Sequence, residues 1–269
     1  MPTFPNTGTA RAKRLEDHAY TCELDGAGWA WEFLRRNKHF AEDFKNHGDN
    51  QNARLVEHNS IYCIEMEKRN VVAEKWHLLT FASLELNICR PHIFWDAASL
   101  PQLLYFKSNL TGKNSQGNFD LNCISGRKSI LRLEGVEYVV IQRRENSVQL
   151  AGTGCSLISG PCRIKFEIEG LDGVAPQLNA IKKLARFAQN NDENSDTEEQ
   201  SNPLLLSYLI ALDGFLAGKT YRQIAQVLYG EDRVSEVWTS ETRFMKDKVR
   251  RAVERGIAYM EGEYLTLLQ

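Results

Sequence analysis

The sequence predicts an α+β protein with an N-terminal helical segment, a mostly antiparallel β unit and an all-α C-terminal domain. Apolar residues recur at helical spacing near both ends of the 269-residue chain. Between about residues 103 and 169 the apolar period changes to two, which is typical of strands. Residues 190–202, which include no apolar residue, separate this region from the last helices.

The N-terminal helical segment is predicted to start after Asp25, a residue suited to cap a helix. Trp29 and Phe33 are neighbours four residues apart on this helix, and Trp31 lies on another side. Aromatic side chains of this size need burial, either in the core or in an oligomer contact. Core is the simpler interpretation, and an oligomer interface made by Trp29, Trp31 and Phe33 is the alternative. Another helix is predicted over residues 71–86.

Six segments predict the strands of the β unit. They are Leu103–Phe106, Phe119–Cys123, Ile130–Leu133, Tyr138–Gln142, Ser147–Leu150 and Arg163–Ile168. Glu145 and Asn146 suit a tight turn between two of them, which favours antiparallel pairing. Pro176 then opens a helix that continues through Phe187. Exposed strand edges are a second candidate route to self-association.

Three amphipathic helices are predicted in the last sixty-odd residues. Asn202 and Pro203 start the first helix, and Gly218 stops it. Thr220 and Gln223 form a T-x-x-Q capping box for the second helix, and Gly230 ends it. The third helix is predicted to start near Thr239 and Ser240. The expected buried residues are Leu205, Leu206, Leu209, Leu212 and Leu216 in the first helix, Tyr221, Ile224, Ala225 and Leu228 in the second, and Met245, Val249, Ala252, Gly256 and Met260 in the third.

The third helix is also the most basic part of the chain. Residues 240–256 contain six basic and three acidic residues. A short helix followed by a basic helix is typical of helix-turn-helix proteins, which place a helix in the DNA major groove. An ordinary solvated helical surface is the alternative. The candidate DNA-binding residues are Thr220, Tyr221, Arg222, Gln223, Thr239, Ser240, Thr242, Arg243, Lys246, Arg250, Arg251 and Arg255.

Roles can be assigned among these candidates from the usual geometry of recognition helices. Thr242, Arg243 and Lys246 lie near the start of the third helix and are expected to read base edges. Arg250, Arg251 and Arg255 lie further along and are expected to contact phosphates, with Tyr221 and Arg222 on the neighbouring backbone. Surface pairing of the double arginine with Asp247 or Glu254 is the competing interpretation.

Charge is segregated along the chain. The net charge is only −2, which is low for a non-specific DNA binder. Residues 190–202 contain five acids and no base, so they predict a solvated acidic linker. The expected organisation is a flexible basic arm over 1–15, an α+β oligomerisation domain over 16–189, the linker over 190–202 and a helical DNA-binding domain over 203–269.

Nothing in the sequence predicts an enzyme, a metal site or a cofactor. Gly218-Lys219-Thr220 ends like a phosphate-binding P-loop, but Asp213 stands where that motif needs glycine. Cys155 follows a glycine-rich stretch without any histidine pattern that suggests a catalytic base. The six cysteines form no C-x-x-C pair, and no signal peptide or membrane-spanning run is evident. We therefore expect reduced thiols and a cytoplasmic protein that does not associate with a membrane.

Two segments resemble one bacterial family of regulators. Gly218-KTYRQIAQVLYG, Trp238, Val249-RRAVERG and Glu261-GEYLTLL resemble the RovC-type transcriptional activators linked to type VI secretion genes. Gly28-WAWEFLRRNKHF is similar to the second signature of this family, which often has proline where Lys38 stands here. The resemblance implies a DNA-binding C-terminal domain and a homo-oligomer, with a hexamer as the implied order.

The expected function is that of a sequence-specific DNA-binding transcriptional activator that works as a homo-oligomer on double-stranded DNA. RNA polymerase is a further expected partner of an activator. The alternative is a protein-interaction or scaffold module whose C-terminal helices bind a protein. DNA affinity falls steeply with salt because phosphate contacts release counterions, and this distinguishes the two functions.

Overall fold

The computed structural model describes residues 18–48, 54–58, 61–82, 92–110, 119–143, 146–168, 170, 174–189, 202–238 and 243–269. The predicted basic arm, most of the acidic linker and the predicted turn residue Glu145 lie outside these residues. The architecture is α+β, as predicted, with helices at both ends of the chain and a sheet between them. Within the described residues, no helix combines the length and apolar character needed to cross a membrane.

Two capped helices begin the described chain after a short 3-10 turn. Helix α1 spans Gly26–Leu34, and the carboxylate of Asp25 accepts a hydrogen bond of 2.9 Å from the backbone N–H of Gly28, as predicted. Helix α2 spans Lys38–His47 and is capped by the side chain of Asn37. Lys38 is the first residue of α2, a position where proline is also favourable because its missing N–H needs no partner.

A seven-stranded sheet forms the centre of the fold. Its spatial order is β1-β2-β4-β5-β6-β3-β7. The pairs β2–β4 and β3–β6 are parallel and the other four are antiparallel, so the prediction of a mostly antiparallel unit is confirmed. The strands are β1 Arg54–His58, β2 Ile61–Met66, β3 Leu104–Leu110, β4 Arg127–Leu133, β5 Val136–Arg143, β6 Asn146–Gly154 and β7 Cys162–Glu167.

Two predicted elements are wrong in detail. Phe119 makes only an isolated bridge with Cys162, and Leu121–Cys123 then form a 3-10 turn capped by Asp120 rather than a strand. Of the residues 71–82 of the helix predicted over 71–86, only Val71–Glu74 are helical, as α3, because the chain turns and Leu78 pairs with Trp95 in an isolated bridge; residues 83–86 lie outside the described residues. Strands β1 and β2 were not predicted from the sequence, since charged and polar residues interrupt their apolar pattern.

Four helices and a final 3-10 turn form the C-terminal part of the described chain. Helix α4 precedes these four helices and corresponds to the helix predicted to begin at Pro176. An additional helix, α7, lies between the second and third predicted helices, and only Val234 among its described side chains is buried. The helices are α4 Val174–Gln189, α5 Pro203–Leu216, α6 Tyr221–Tyr229, α7 Glu231–Val237 and α8 Arg243–Glu261, followed by the turn Glu263–Leu268.

The two faces of the sheet pack against different helices. Ile130 and Val139 belong to one hydrophobic cluster, which includes Leu184 of α4. The next residues along the strands, Leu131 and Val140, belong to the other cluster because side chains alternate between the faces of a sheet. This second cluster joins α1 and α2 to the C-terminal helices through Leu205, Leu209, Leu212, Tyr264 and Leu268.

The tryptophan-rich helix α1 lies inside this shared core. Trp29 is 3% exposed, and Trp31 and Phe33 are fully buried. The ring centroids of Phe33 and Tyr259 of α8 lie 4.9 Å apart. Of the two interpretations of Trp29, Trp31 and Phe33, the core is therefore the one observed. These side chains offer no surface to a second chain, because they are buried within one chain in the cluster that includes Leu209 of α5 and Tyr264 of the final turn.

Candidate nucleic-acid interface

Helices α5, α6 and α8 converge on a small hydrophobic cluster. Ala211, Ile224 and Val249 lie in this cluster and are almost completely buried. Gly256 permits close contact between α5 and α8, because a Cβ there would lie 2.7 Å from the carbonyl oxygen of Tyr208. Gly214 does the same between α5 and α6, where a Cβ would lie 2.9 Å from the side chain of Ile224. The cluster fixes the direction in which α6 and α8 present their exposed faces.

The start of α6 is held by the predicted capping box. The hydroxyl of Thr220 accepts a hydrogen bond of 3.3 Å from the N–H of Gln223, and the side-chain oxygen of Gln223 accepts one of 2.8 Å from the N–H of Thr220. Arg222 is exposed beside them. Tyr221 is 38% exposed, so its predicted place on the buried side is wrong. The reason is its position at the first turn, before α6 reaches the cluster.

The buried and exposed faces of α8 agree with the predicted division. Met245, Val249 and Ala252 are buried, and Gly256 is buried beside α5. Met260, which was also predicted to be buried, is only partly buried. The exposed face carries the described basic side chains Lys246, Lys248, Arg250, Arg251 and Arg255. Helix α8 begins at Arg243, whose side chain lies outside the described part of the structure. Thr239, Ser240 and Thr242 lie outside the described residues altogether.

The five cations have different surroundings. Arg250 pairs with Glu254 at 3.1 Å and Asp247 at 3.6 Å, which is the surface pairing considered from the sequence. Arg255 pairs with Glu263 at 2.8 Å. A hydrogen bond to the hydroxyl of Tyr259 raises the pKa of Arg255, together with nearby negative charge. Among the described residues, no carboxylate lies within ion-pair distance of Arg251.

Two lysines of α8 lie over aromatic rings. The ammonium group of Lys246 is 5.4 Å from the ring centroid of Trp238, and that of Lys248 is 5.1 Å from the ring centroid of Tyr229. Such contacts hold a cation near the surface without neutralising its charge. Lys248 was not among the residues selected from the sequence. Its spacing of three residues from Arg251 could have identified it, because that spacing places side chains on one side of a helix.

An ionic network anchors α5 to the N-terminal helices. The guanidinium of Arg36 donates to both carboxylate oxygens of Asp213, at 2.5 and 2.9 Å, and also pairs with Glu32 at 2.7 Å. Glu32 is completely buried and pairs with Arg35 as well. Nε2 of His18 lies 3.2 Å from Oδ2 of Asp213, an oxygen that Arg36 also contacts. Residues of the N-terminal segment and Asp213 of α5 thus form one network of ion pairs.

Asp213 is strongly acidic in this network. Its partial burial alone would raise the pKa of the carboxyl group. The hydrogen bonds from His18 and Arg36, together with their charges, outweigh burial and lower the pKa of Asp213 to about 2. Asp213 therefore stays ionised at neutral pH and pairs with Arg36. This ion pair fixes α5 against α1.

No described group of three or more His, Cys, Asp or Glu residues has the arrangement needed to hold a metal ion. A groove of about 460 Å³ lies on the sheet and is lined by Arg132, Glu137 and the segment Gly152–Ser156. Arg132 is already paired there with Glu65 and Glu137. The basic face of α8 lies on separate elements from this groove.

Two family models match parts of the chain, and one of them includes the helices α5–α8. Residues 171–269 match the model of a family described as a T6SS transcription factor DNA-binding domain, the RovC type, where T6SS denotes type VI secretion. Residues 13–60 match a second model, described as a proteobacterial transcriptional regulator-like domain. No curated protein matches the chain. Both family names indicate a regulator rather than an enzyme. The two matches together support a RovC-like transcriptional regulator, in which residues 171–269 are similar to a DNA-binding domain.

Proposed function

We propose that the protein is a sequence-specific transcriptional activator that binds double-stranded DNA through a helix-turn-helix-like arrangement of α6 and α8. The observation that carries this proposal is the division of α8 into a buried apolar stripe and an exposed face with five basic side chains. A helix supported along one side and positively charged on the other has the form required for insertion into a groove lined by phosphates. RNA polymerase is the further partner that activation requires.

Within this arrangement the start of α8 points to the bases. Thr242, Arg243 and Lys246 are proposed to read base edges, with the guanidinium of Arg243 suited to guanine. Helix α6 is proposed to lie across the sugar-phosphate backbone of the DNA. Thr220 and Gln223 form the cap of its first turn, and Tyr221 and Arg222 are proposed to face the phosphates of one DNA strand. Thr239 and Ser240 precede α8 and are proposed to lie near the same DNA strand.

The remaining cations are proposed to neutralise phosphates. Arg251→Ala is expected to weaken binding to all DNA sequences alike and to reduce the slope of log affinity against log salt by about one. Arg250 and Arg255 are expected to act in the same way, although each must leave a carboxylate of the protein to reach a phosphate. Fluorescence anisotropy with labelled duplexes over a salt titration measures both the affinity and the slope.

Arg127→Ala is the matched control for Arg251→Ala. Arg127 is an exposed arginine at the start of β4, an inner strand of the sheet, so its removal changes the net charge equally away from α8 and from the sheet edges. We expect wild-type affinity and slope for this variant. Arg243→Ala should instead cost about 1–3 kcal/mol on the preferred sequence and relax sequence preference. Equal behaviour of Arg251→Ala and Arg127→Ala would contradict the DNA-binding face and favour the scaffold alternative.

We also propose that the protein acts as a homo-oligomer. The charge surplus around α8 is small, and several linked copies bind DNA far more tightly than one. The outer strands β1 and β7 are the remaining candidates for contacts between chains, because an edge strand has unpaired backbone groups. The division into 16–189, the linker 190–202 and 203–269, and a cytoplasmic location, remain part of the same proposal.

Light scattering on the full chain is expected to give a mass that is a multiple of the 30.7 kDa of one chain, six times that mass for the implied hexamer. The mass should not change between about 0.1 and 0.5 M salt, because an interface made by strand pairing depends on backbone hydrogen bonds rather than on exposed charges. A mass of one chain at micromolar concentration would rule out this part of the proposal.

A further inference from the structure

Phe244, the second residue of α8, is 80% exposed. It is more exposed than any other large hydrophobic residue in the part of the chain that the structure describes. The next residue, Met245, is only 9% exposed, so α8 is firmly packed at this point while Phe244 faces away from the cluster. The apolar ring of Phe244 is therefore left in water, although burial against an apolar partner would be favourable.

The position of Phe244 on α8 distinguishes it from scattered apolar surface residues. Lys248, Arg251 and Arg255 follow it at spacings of four, seven and eleven residues, which place all four side chains on one side of the helix. Phe244 therefore stands at the start of a row of three exposed cations. In the proposed orientation of α8, the start of the helix meets the bases and the cations further along meet phosphates.

Phenylalanine has no hydrogen-bonding group, so it can read neither the polar base edges nor a phosphate. The C5-methyl group of thymine is the one apolar group that a base pair presents in the major groove, and it is contacted by apolar side chains. Building on the proposed function, we propose that Phe244 packs against a thymine methyl group and makes α8 select thymine at that position of its site.

The test first needs the preferred DNA sequence of the full-length wild-type protein, obtained by selection from a randomised duplex library. Each thymine in the selected site is then replaced singly by deoxyuridine, which lacks only the methyl group. Loss of one buried methyl contact is worth about 0.8 kcal/mol, so we expect about fourfold weaker binding by the wild type at one or two thymines.

The variants then assign that effect to Phe244. Phe244→Ala is expected to bind the thymine and deoxyuridine duplexes equally, because the apolar partner is gone. Phe244→Leu should keep part of the thymine preference, since leucine is also apolar. Val71→Ala is the matched control, because Val71 is 75% exposed on α3 and its loss should leave the fourfold difference unchanged. All three variants should keep the wild-type melting temperature.

The outcomes separate this inference from the proposed function. Steep salt dependence of wild-type binding without any effect of deoxyuridine, or a selected site without thymine, overturns the role of Phe244 and leaves the DNA-binding proposal intact. Failure of the wild type to bind any duplex overturns both. A change of mass in light scattering for Phe244→Ala, with the thymine preference retained, assigns the residue to a contact between chains and also overturns the inference.

Discussion

Trp31→Ala is expected to lower the free energy of unfolding by about 3–5 kcal/mol. Trp31 is fully buried, and its ring packs edge-on against Phe40 with the centroids 5.7 Å apart. The same cluster continues to residues of α5 and the final turn, so the cavity left by alanine would lie between the two ends of the chain. Urea unfolding, followed by circular dichroism at two protein concentrations, measures this loss.

Phe244→Ala is the matched control, since it removes an exposed aromatic side chain and should change the free energy of unfolding by less than about 0.5 kcal/mol. The same measurements distinguish core from interface. Substitution of a core residue lowers the free energy of unfolding and leaves the oligomeric mass of the folded protein unchanged. If Trp31→Ala unfolded like the wild type but had a lower mass, an oligomer contact would be the correct role for this helix.

Arg36→Ala is expected to destabilise the protein by about 2–4 kcal/mol. Removing one partner of a buried ion pair leaves the other charge without compensation, which costs about 3–5 kcal/mol in well-buried cases. Glu32 is fully buried and would keep Arg35, whereas Asp213 is about one third exposed and would keep His18, so we place the cost below the upper end of that range. Chemical denaturation at pH 7 gives the value.

The same network predicts an acid-sensitive contribution from Asp213. Its folded-state pKa of about 2 lies below the ordinary value of 3.8, so ionised Asp213 stabilises the fold above about pH 4. This contribution is lost as the pH falls from about 4 towards 2, because the carboxyl group of the unfolded chain, which has the higher pKa, binds a proton in that range before the folded one does. After allowance for solvent screening of a partly exposed group, it amounts to about 1–2 kcal/mol.

Asp213→Asn tests this contribution, because asparagine keeps the shape of the side chain and removes its charge. The difference in unfolding free energy between wild type and Asp213→Asn should be largest at neutral pH and should shrink between about pH 4 and pH 2.5. Asp247→Asn is the control, since Asp247 is a partly exposed carboxylate on α8 whose pairing with Arg250 is long, at 3.6 Å, and should show little difference at any pH. A constant difference down to pH 2.5 would contradict the role of the Asp213 charge.

The sequence by itself determined the features that depend on neighbouring residues. The Asp25 cap, the Thr220–Gln223 capping box and the ends of α5 and α6 at Gly218 and Gly230 agree with the structure, because each involves residues within one or two turns. The apolar stripe of α8 and most of the strands were likewise predictable from periodicity. The extra helix α7 was missed because it is short and has little apolar signal.

Only the tertiary structure decided how these elements meet. The parallel pairing of β2 with β4 and of β3 with β6 joins strands that are distant in sequence, which periodicity cannot reveal. The burial of Trp31 in the core, rather than in an oligomer contact, depends on α5 and the final turn covering it. The ion pair between Arg36 and Asp213 joins residues 177 positions apart. Such contacts are set by the packing of whole elements, and no local pattern of residue types specifies their partners.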